Sequence, residues 1–166
     1  ERLRAKRILV TGSSGHLGEG LVRTLRGEKG EVIGVDLKAG PLTDRAGSIA
    51  DRGVVRSLLR GVDAGIHTAT LHKPHIETHS RQEFIDTNVT GTLNLLEESV
   101  AAGVKAFIFT STTSAYGRAL SPPPGAPAVW VTEELRPIPK NIYGVTKNAA
   151  EGLSELVHQR GKLPCV

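Results

Sequence analysis

Tyrosine and lysine stand four residues apart in the run YGVTK, which places Tyr143 and Lys147 on one face of any helix formed there. An ammonium held close to a phenol favours the phenolate and lowers its pKa from about 10 toward working pH. Such a pair can take a proton from an alcohol and return it to a ketone. The same spacing also occurs on ordinary solvated helix faces, so the pair carries weight only in company. That company is FTSTTSAYG, residues 109–117, where an apolar run closes in a cluster of hydroxyls. Open α/β sheets bind their ligands just beyond the strand C-termini, where this cluster would lie.

A second chemical feature sits near the start. In ILVTGSSGHLGEGLV, residues 8–22, Gly12, Gly15 and Gly18 follow one another at intervals of three, between a strand-like run and a helix-like stretch. Glycines in that setting let the backbone approach a pyrophosphate, whose charge a helix N-terminus favours. Asp36 closes the next apolar run, where a carboxylate accepts hydrogen bonds from both hydroxyls of an adenosine ribose and repels a 2′-phosphate. Leu37 follows it instead of an arginine, although Lys38 is near. NAD is therefore expected over NADP.

The elements that must hold these groups alternate along the chain. Residues 7–11, 31–35, 64–68 and 106–110 are short runs rich in valine and isoleucine, suited to parallel strands buried on both faces. Helical patterning covers roughly 15–27, 52–60 and 80–102, the last with Phe84, Ile85, Val89, Leu93, Leu96 and Val100 as its apolar stripe and Gly103 as its stop. A final helix is expected from Asn141, a good N-cap, to Arg160, ended by Gly161. The proline-rich segment 117–140 reads as a long surface loop. This alternation predicts an α/β fold with a doubly wound parallel sheet. LPCV, at 163–166, reads as the opening of one more buried strand, so we expect residues 1–166 to be one domain whose sheet continues beyond them.

Bulk composition narrows the classes. Aromatic residues make up only 4%, too few for the stacking platforms of single-strand nucleic-acid binders, and a net charge of +4 serves phosphate-bearing small molecules equally well. Arg2, Arg4, Lys6 and Arg7 form the one basic cluster. No apolar run approaches the roughly 20 residues of a membrane span, and the first is too short for a signal peptide. Cys165 is the only cysteine, which excludes an intrachain disulfide and leads us to expect a cytoplasmic protein. His72, His75 and His79 have spacings that could suit metal ligands, but Pro74 disrupts a helix there and no cysteine is near. We expect no metal, and a polar loop bordering the substrate pocket whose His72 and Lys73 could contact an anionic substrate.

Taken together, these segments resemble the extended short-chain dehydrogenase/reductase family, also called the NAD-dependent epimerase/dehydratase family. TGSSGHLG resembles its T-G-x-x-G-x-x-G loop, HTAT its H-x-A-A segment and NVTGTLNLLEES its asparagine-bearing helix. STTSAYG resembles its S-[ST]-x-x-x-Y-G stretch, and YGVTK its Y-x-x-x-K. The resemblance implies a Rossmann fold matching the nucleotide-binding half of the family, without the smaller substrate domain that follows in its members. It implies Tyr143 as catalytic acid/base, Lys147 as the group that favours its phenolate and binds the nicotinamide ribose, and Thr112 as holder of the substrate oxygen. For NAD it implies Gly12, Ser14, Gly15, His16, Leu17 and Gly18 at the diphosphate, with Asp36 on the ribose. Asp51 is implied at the adenine, and Ala69 with Thr70 where the backbone passes the cofactor. Asn88 is implied among the cofactor-binding residues, anchoring the active-site end of its helix, or else bonds the backbone at a helix kink.

The departures also inform. Thr113 and Ser114 stand where family sugar dehydratases carry Asp and Glu, which disfavours a 4,6-dehydratase. The expected function is an NAD-dependent oxidoreductase or epimerase of a hydroxyl or keto substrate, such as a nucleotide sugar. The alternative is a non-catalytic NAD-binding regulator, but such members typically lose the tyrosine or lysine kept here. Family resemblance further implies a homodimer through the helices of Asn88 and Tyr143, to which Val145, Ala149, Leu153 and Leu156 could contribute.

Overall fold

The computed structural model describes residues 7–28 and 30–166; Arg2, Arg4 and Lys6 lie outside them. The first strand, β1 (Arg7–Thr11), leads into α1 (His16–Gly27) and β2 (Glu31–Asp36). A two-residue β3 (Arg45–Ala46), α2 (Arg52–Leu58) and β4 (Ala64–His67) follow. After a 3₁₀ turn at Lys73–Glu77 come α3 (Arg81–Phe84), a π-helical turn at Ile85–Thr90, and α4 (Gly91–Ala102). Then come β5 (Ala106–Phe109) and α5 (Ile142–Gln159).

All strands pair in parallel in the order β3-β2-β1-β4-β5. Crossing over between β1 and β4 reverses the direction in which strands are added, and this switch point opens the cleft at the strand C-termini. Apolar side chains cover both faces, which is why the strands read as continuous apolar runs. Val10, Val22 and Val32 pack with Leu21 and Leu25 under α1. On the other face Leu9, Val35, Val55, Leu58, Leu95, Leu96 and Phe107 form the larger core, with Leu153 and Val157 of α5 against it. Beyond β5 the chain end runs alongside: Phe107 N–H donates to Pro164 O and Val166 N–H to Phe107 O, at 2.9 and 3.0 Å.

Two expectations need correction. β3 carries no apolar signal and was not anticipated; its Arg45 and Ala46 sit exposed at the sheet edge. The apolar stripe over residues 80–102 is also out of phase. The π turn adds a residue to the helical repeat, so the buried face runs through Phe84, Asn88, Thr92, Leu95, Leu96 and Ser99. Ile85 is left 40% exposed, and Val89 and Leu93 are half-buried. The helix stops behave as expected: Gly103 and Gly161 take left-handed φ values of 73° and 64°.

Candidate active site

At the C-terminal edge of the sheet lies a cavity of about 790 Å³. One end is built from backbone. Gly12 turns out of β1 at φ 77°, and its N–H donates to Val35 O at 2.8 Å. A Cβ on Gly18 would stand 2.0 Å from Gly12 O, so α1 can start this close to the strand only because residue 18 lacks a side chain. The N-cap of α1, Gly15, offers no side-chain acceptor, whereas Asp51, Ser80 and Asn141 cap α2, α3 and α5 with theirs. The first amides of α1 are thus left for an external anion.

Asp36 stands beside this loop with its carboxylate already aimed. One oxygen accepts from Ser14 N–H at 3.0 Å and the other from Lys38 N–H at 3.1 Å. Each oxygen keeps a lone pair for a further donor, as two ribose hydroxyls require. Gly12, Ser14, Gly15, His16, Leu17, Gly18, Asp36 and Ala69 all line the cavity, with Thr70 beside Ala69. Asp51 does not: its Oδ1 accepts from Gly53 and Val54 N–H, and Gly47, Ser48 and Ile49 form the wall there.

The other end is built from side chains. Asn141 Oδ1 accepts from Gly144 N–H at 3.0 Å and starts α5 so that Tyr143, 8% exposed, lines the cavity with Thr112 and Ser114. Thr112 caps a 3₁₀ turn by accepting from Ser114 N–H. Lys147 lies behind, 4% exposed and outside the cavity lining. Its Nζ donates to Thr110 O and sits 4.0 Å from the Phe109 ring centroid. Burial pulls its pKa down to about 8, against the opposing charge of Glu151. An amine poised there can hold or release its proton near neutrality, a property that position in the sequence alone did not reveal.

Asn88 is 2% exposed and also lies outside the lining. Its amide is fully engaged by protein: Oδ1 accepts from Leu71 N–H and Thr70 Oγ1–H, and Nδ2 donates to Leu71 O and Thr146 Oγ1. From within the π turn it bonds the Leu71 backbone and so ties the loop after β4 to α5, three residues from Tyr143, without lining the cavity where a cofactor would lie.

A buried network beside it escaped sequence reasoning. Thr11 Oγ1 accepts from Thr68 and Ala69 N–H, so its own proton goes to His67 Nδ1 at 2.7 Å. On the other side Thr92 Oγ1–H donates to Asn88 O, so it accepts from His67 Nε2 at 3.0 Å. These partners assign His67 as the neutral Nε2–H tautomer. Complete burial, aided by the charge of Lys147, lowers its pKa to about 3. The only signal for this role was the histidine of HTAT at the end of an apolar run.

A sequence model described as "NAD dependent epimerase/dehydratase family" matches residues 8–166. The chain belongs to this family. Sterol demethylase protein B of Methylococcus capsulatus is 37% identical over 140 residues, covering 78% of the chain and 40% of that protein. A short-chain dehydrogenase/reductase superfamily protein from Agrobacterium tumefaciens, solved with bound NAD, superposes with a TM-score of 0.85 at 31% identity over 96% of the chain and 47% of its own. UDP-glucose 4-epimerase of Thermotoga maritima, solved with UDP-glucose, has a TM-score of 0.81 at 32% identity over 96% and 53%. The chain thus spans about two-fifths to one-half of the relatives it matches. As in the family, the cofactor is NAD, and the uncapped α1 terminus, the Gly12–Gly18 contact and the aimed Asp36 carboxylate fit it.

Proposed function

We propose that this chain is the NAD-binding domain of an epimerase or dehydrogenase that acts on a carbinol of a nucleotide sugar. The observation that carries this reading is that Tyr143 opens into the same cavity as the glycine loop, with Thr112 beside it and Lys147 buried behind. NAD, when bound, supplies the hydride acceptor. The protein's own residues then handle the proton. Thr112 positions the substrate oxygen and Tyr143 takes its proton, while Lys147 is held behind them with its Nζ donating to Thr110 O. An epimerase reverses these steps on the other face of the sugar; a dehydrogenase releases the ketone.

Thr113 and Ser114 follow Thr112 in the 3₁₀ turn, with no carboxylate there to drive elimination of water, so we do not propose a 4,6-dehydratase. Tyr143 and Lys147 are both kept, which speaks against a cofactor-sensing regulator. We also propose a homodimer through the apolar positions left uncovered beside the site: Ile85, Val145 and Leu156 are 40–49% exposed, and Ala149 is exposed between the latter two. Leu153 packs on the core instead. The single thiol of Cys165 suits a cytoplasmic setting, and among the described residues no helix is long and apolar enough to cross a membrane.

UDP-glucose and NAD are the test pair. Formation of UDP-galactose is expected from an epimerase, and reduced nicotinamide from a dehydrogenase. Turnover of a sterol alcohol with none of UDP-sugars would contradict the substrate class, and is worth including because of the sterol demethylase protein B relative.

A further inference from the structure

The histidine turn after β4 borders the NAD cavity and belongs to that site, and among the described residues no group of His, Cys, Asp or Glu is placed to hold a metal ion. A second hollow, of about 410 Å³, lies apart from it. Its wall is Arg7, the last member of the basic cluster, with Ile33 of β2, Arg45 of β3, Ser57 and Leu58 ending α2, and Arg60 just beyond. None of these residues lines the NAD cavity. Three guanidinium groups thus border one space whose described lining holds no carboxylate.

The three arginines are held differently. Arg7 is fixed: its Nε lies 2.7 Å from Glu31 Oε1, and its Nη1 donates to Arg60 O at 3.1 Å. Arg45 and Arg60 are exposed, and among the described residues neither holds a carboxylate. Arg23 and Arg26 of α1 and Arg52 and Arg56 of α2 each have one. The acids nearby are engaged. Asp44 accepts from Arg26 at 2.6 Å and from Gly34 N–H at 2.7 Å, and Asp63 accepts from Arg7 N–H at 2.9 Å. With Glu31 set against Arg7, two guanidinium charges border the hollow unbalanced, beside apolar Ile33 and Leu58 that cannot solvate them.

We propose that this hollow is a second ligand site, which takes a phosphate monoester of a sugar. Such a group carries about −1.5 to −2 charge near pH 7, which matches the two unbalanced arginines. Guanidinium forks bind phosphoryl oxygens in pairs, and Arg7, already anchored, keeps its Nη2 for the same task. Ser57 supplies a different contact. Its Oγ–H donates to Val54 O at 2.7 Å, so its oxygen is left to accept, which a ligand hydroxyl satisfies and a bare phosphate dianion does not. The volume falls within the range of small-molecule sites, about 300–1,000 Å³. Nothing in this site depends on the NAD reading of the larger cavity.

Glucose 6-phosphate is the probe and inorganic phosphate the comparator, each titrated into the full protein with NAD saturating and ionic strength fixed. Amide NMR shifts read the place and calorimetry the affinity. Saturable binding is expected, with shifts at Arg7, Arg45, Ser57 and Arg60 and none at the glycine loop. Arg45→Gln/Arg60→Gln should weaken glucose 6-phosphate by about a hundredfold, and Ser57→Ala by about fivefold, with NAD affinity unchanged in both. Shifts that do not saturate, shifts confined to the glycine loop, or unchanged affinity in the double variant would overturn the site. Equal affinity for the two probes would overturn the choice of a sugar ester. Should the double variant lose its fold by circular dichroism, the wild-type shift map decides alone. Failure of NAD to bind would remove the cofactor reading and leave the arginine shifts as the test of this site.

Discussion

The two ends of the cavity are made of different material. At the glycine loop the protein offers backbone: amides of an uncapped helix, a turn at positive φ, and a carboxylate held by two N–H groups. At the Tyr143 end it offers side chains fixed by burial and by other side chains: Asn141 capping α5, Asn88 bonding Thr146, Lys147 under Phe109. A backbone site tolerates almost no added atom but does not depend on which side chains flank it. A side-chain site can lose its chemistry to the removal of one oxygen while its shape survives. The difference teaches where each function is vulnerable.

The sharpest way to break this contrast is to add one methyl at the backbone end. Gly18→Ala would drive a Cβ to within 2.0 Å of Gly12 O, so α1 must move away from the turn. NAD affinity is expected to fall roughly a thousandfold or more, equivalent to about 4 kcal/mol, with a lowered melting temperature. Titration calorimetry with NAD reads it; normal affinity would mean the loop is no cradle.

Acid probes the side that depends on buried side chains. His67 titrates near 6.5 when unfolded but is held neutral in the fold, with its pKa at about 3. Between those values the unfolded chain binds the extra proton, so folding stability is complete above about pH 6.5 and drains as pH falls toward 3. The loss is on the order of 3–5 kcal/mol, and urea unfolding across that range measures it. Glu98, paired with Arg56 and Arg52 between α2 and α4, is lowered to about 2 by those guanidinium groups, so its contribution is complete above about pH 4.5 and is lost as pH falls toward 2. His67→Asn should flatten the limb between about pH 6 and 4. A limb unchanged in that variant would assign the acid sensitivity elsewhere.

Asp36→Asn is the mildest test. It keeps the acceptor geometry toward Ser14 but removes the charge, and should shift the NADP-to-NAD affinity ratio by about tenfold toward NADP. An unchanged ratio would detach cofactor choice from this carboxylate.

What the sequence made legible follows from how local each signal was. β1, β2, β4 and β5 were readable to within a residue at each end because continuous apolar runs are what two-sided burial demands. Asn141 announced the start of α5 because capping is decided within three residues. β3 was illegible because a two-residue edge strand of Arg45 and Ala46 has no burial to encode. The π turn was missed because a fixed helical period cannot register an inserted residue, and with it went the true buried face of residues 80–102. The chain of bonds from Thr11 through His67 to Thr92 joins residues 56 and 25 positions apart, a pairing that no local pattern carries. The candidate site divides likewise: its glycines, Asp36, Thr112 and Tyr143 reach one cavity, whereas Asp51, Asn88 and Lys147 stand behind its wall.

Tyr143→Phe asks most directly whether the two ends divide the labour. It removes one hydroxyl from the side-chain end and touches nothing at the glycine loop. In the full protein, NAD affinity by calorimetry should stay within about twofold while turnover of the substrate, read by reduced nicotinamide or epimerised product, falls by about 10²–10⁴. Turnover near wild type in the variant would contradict the account, because the proton would then have a different carrier.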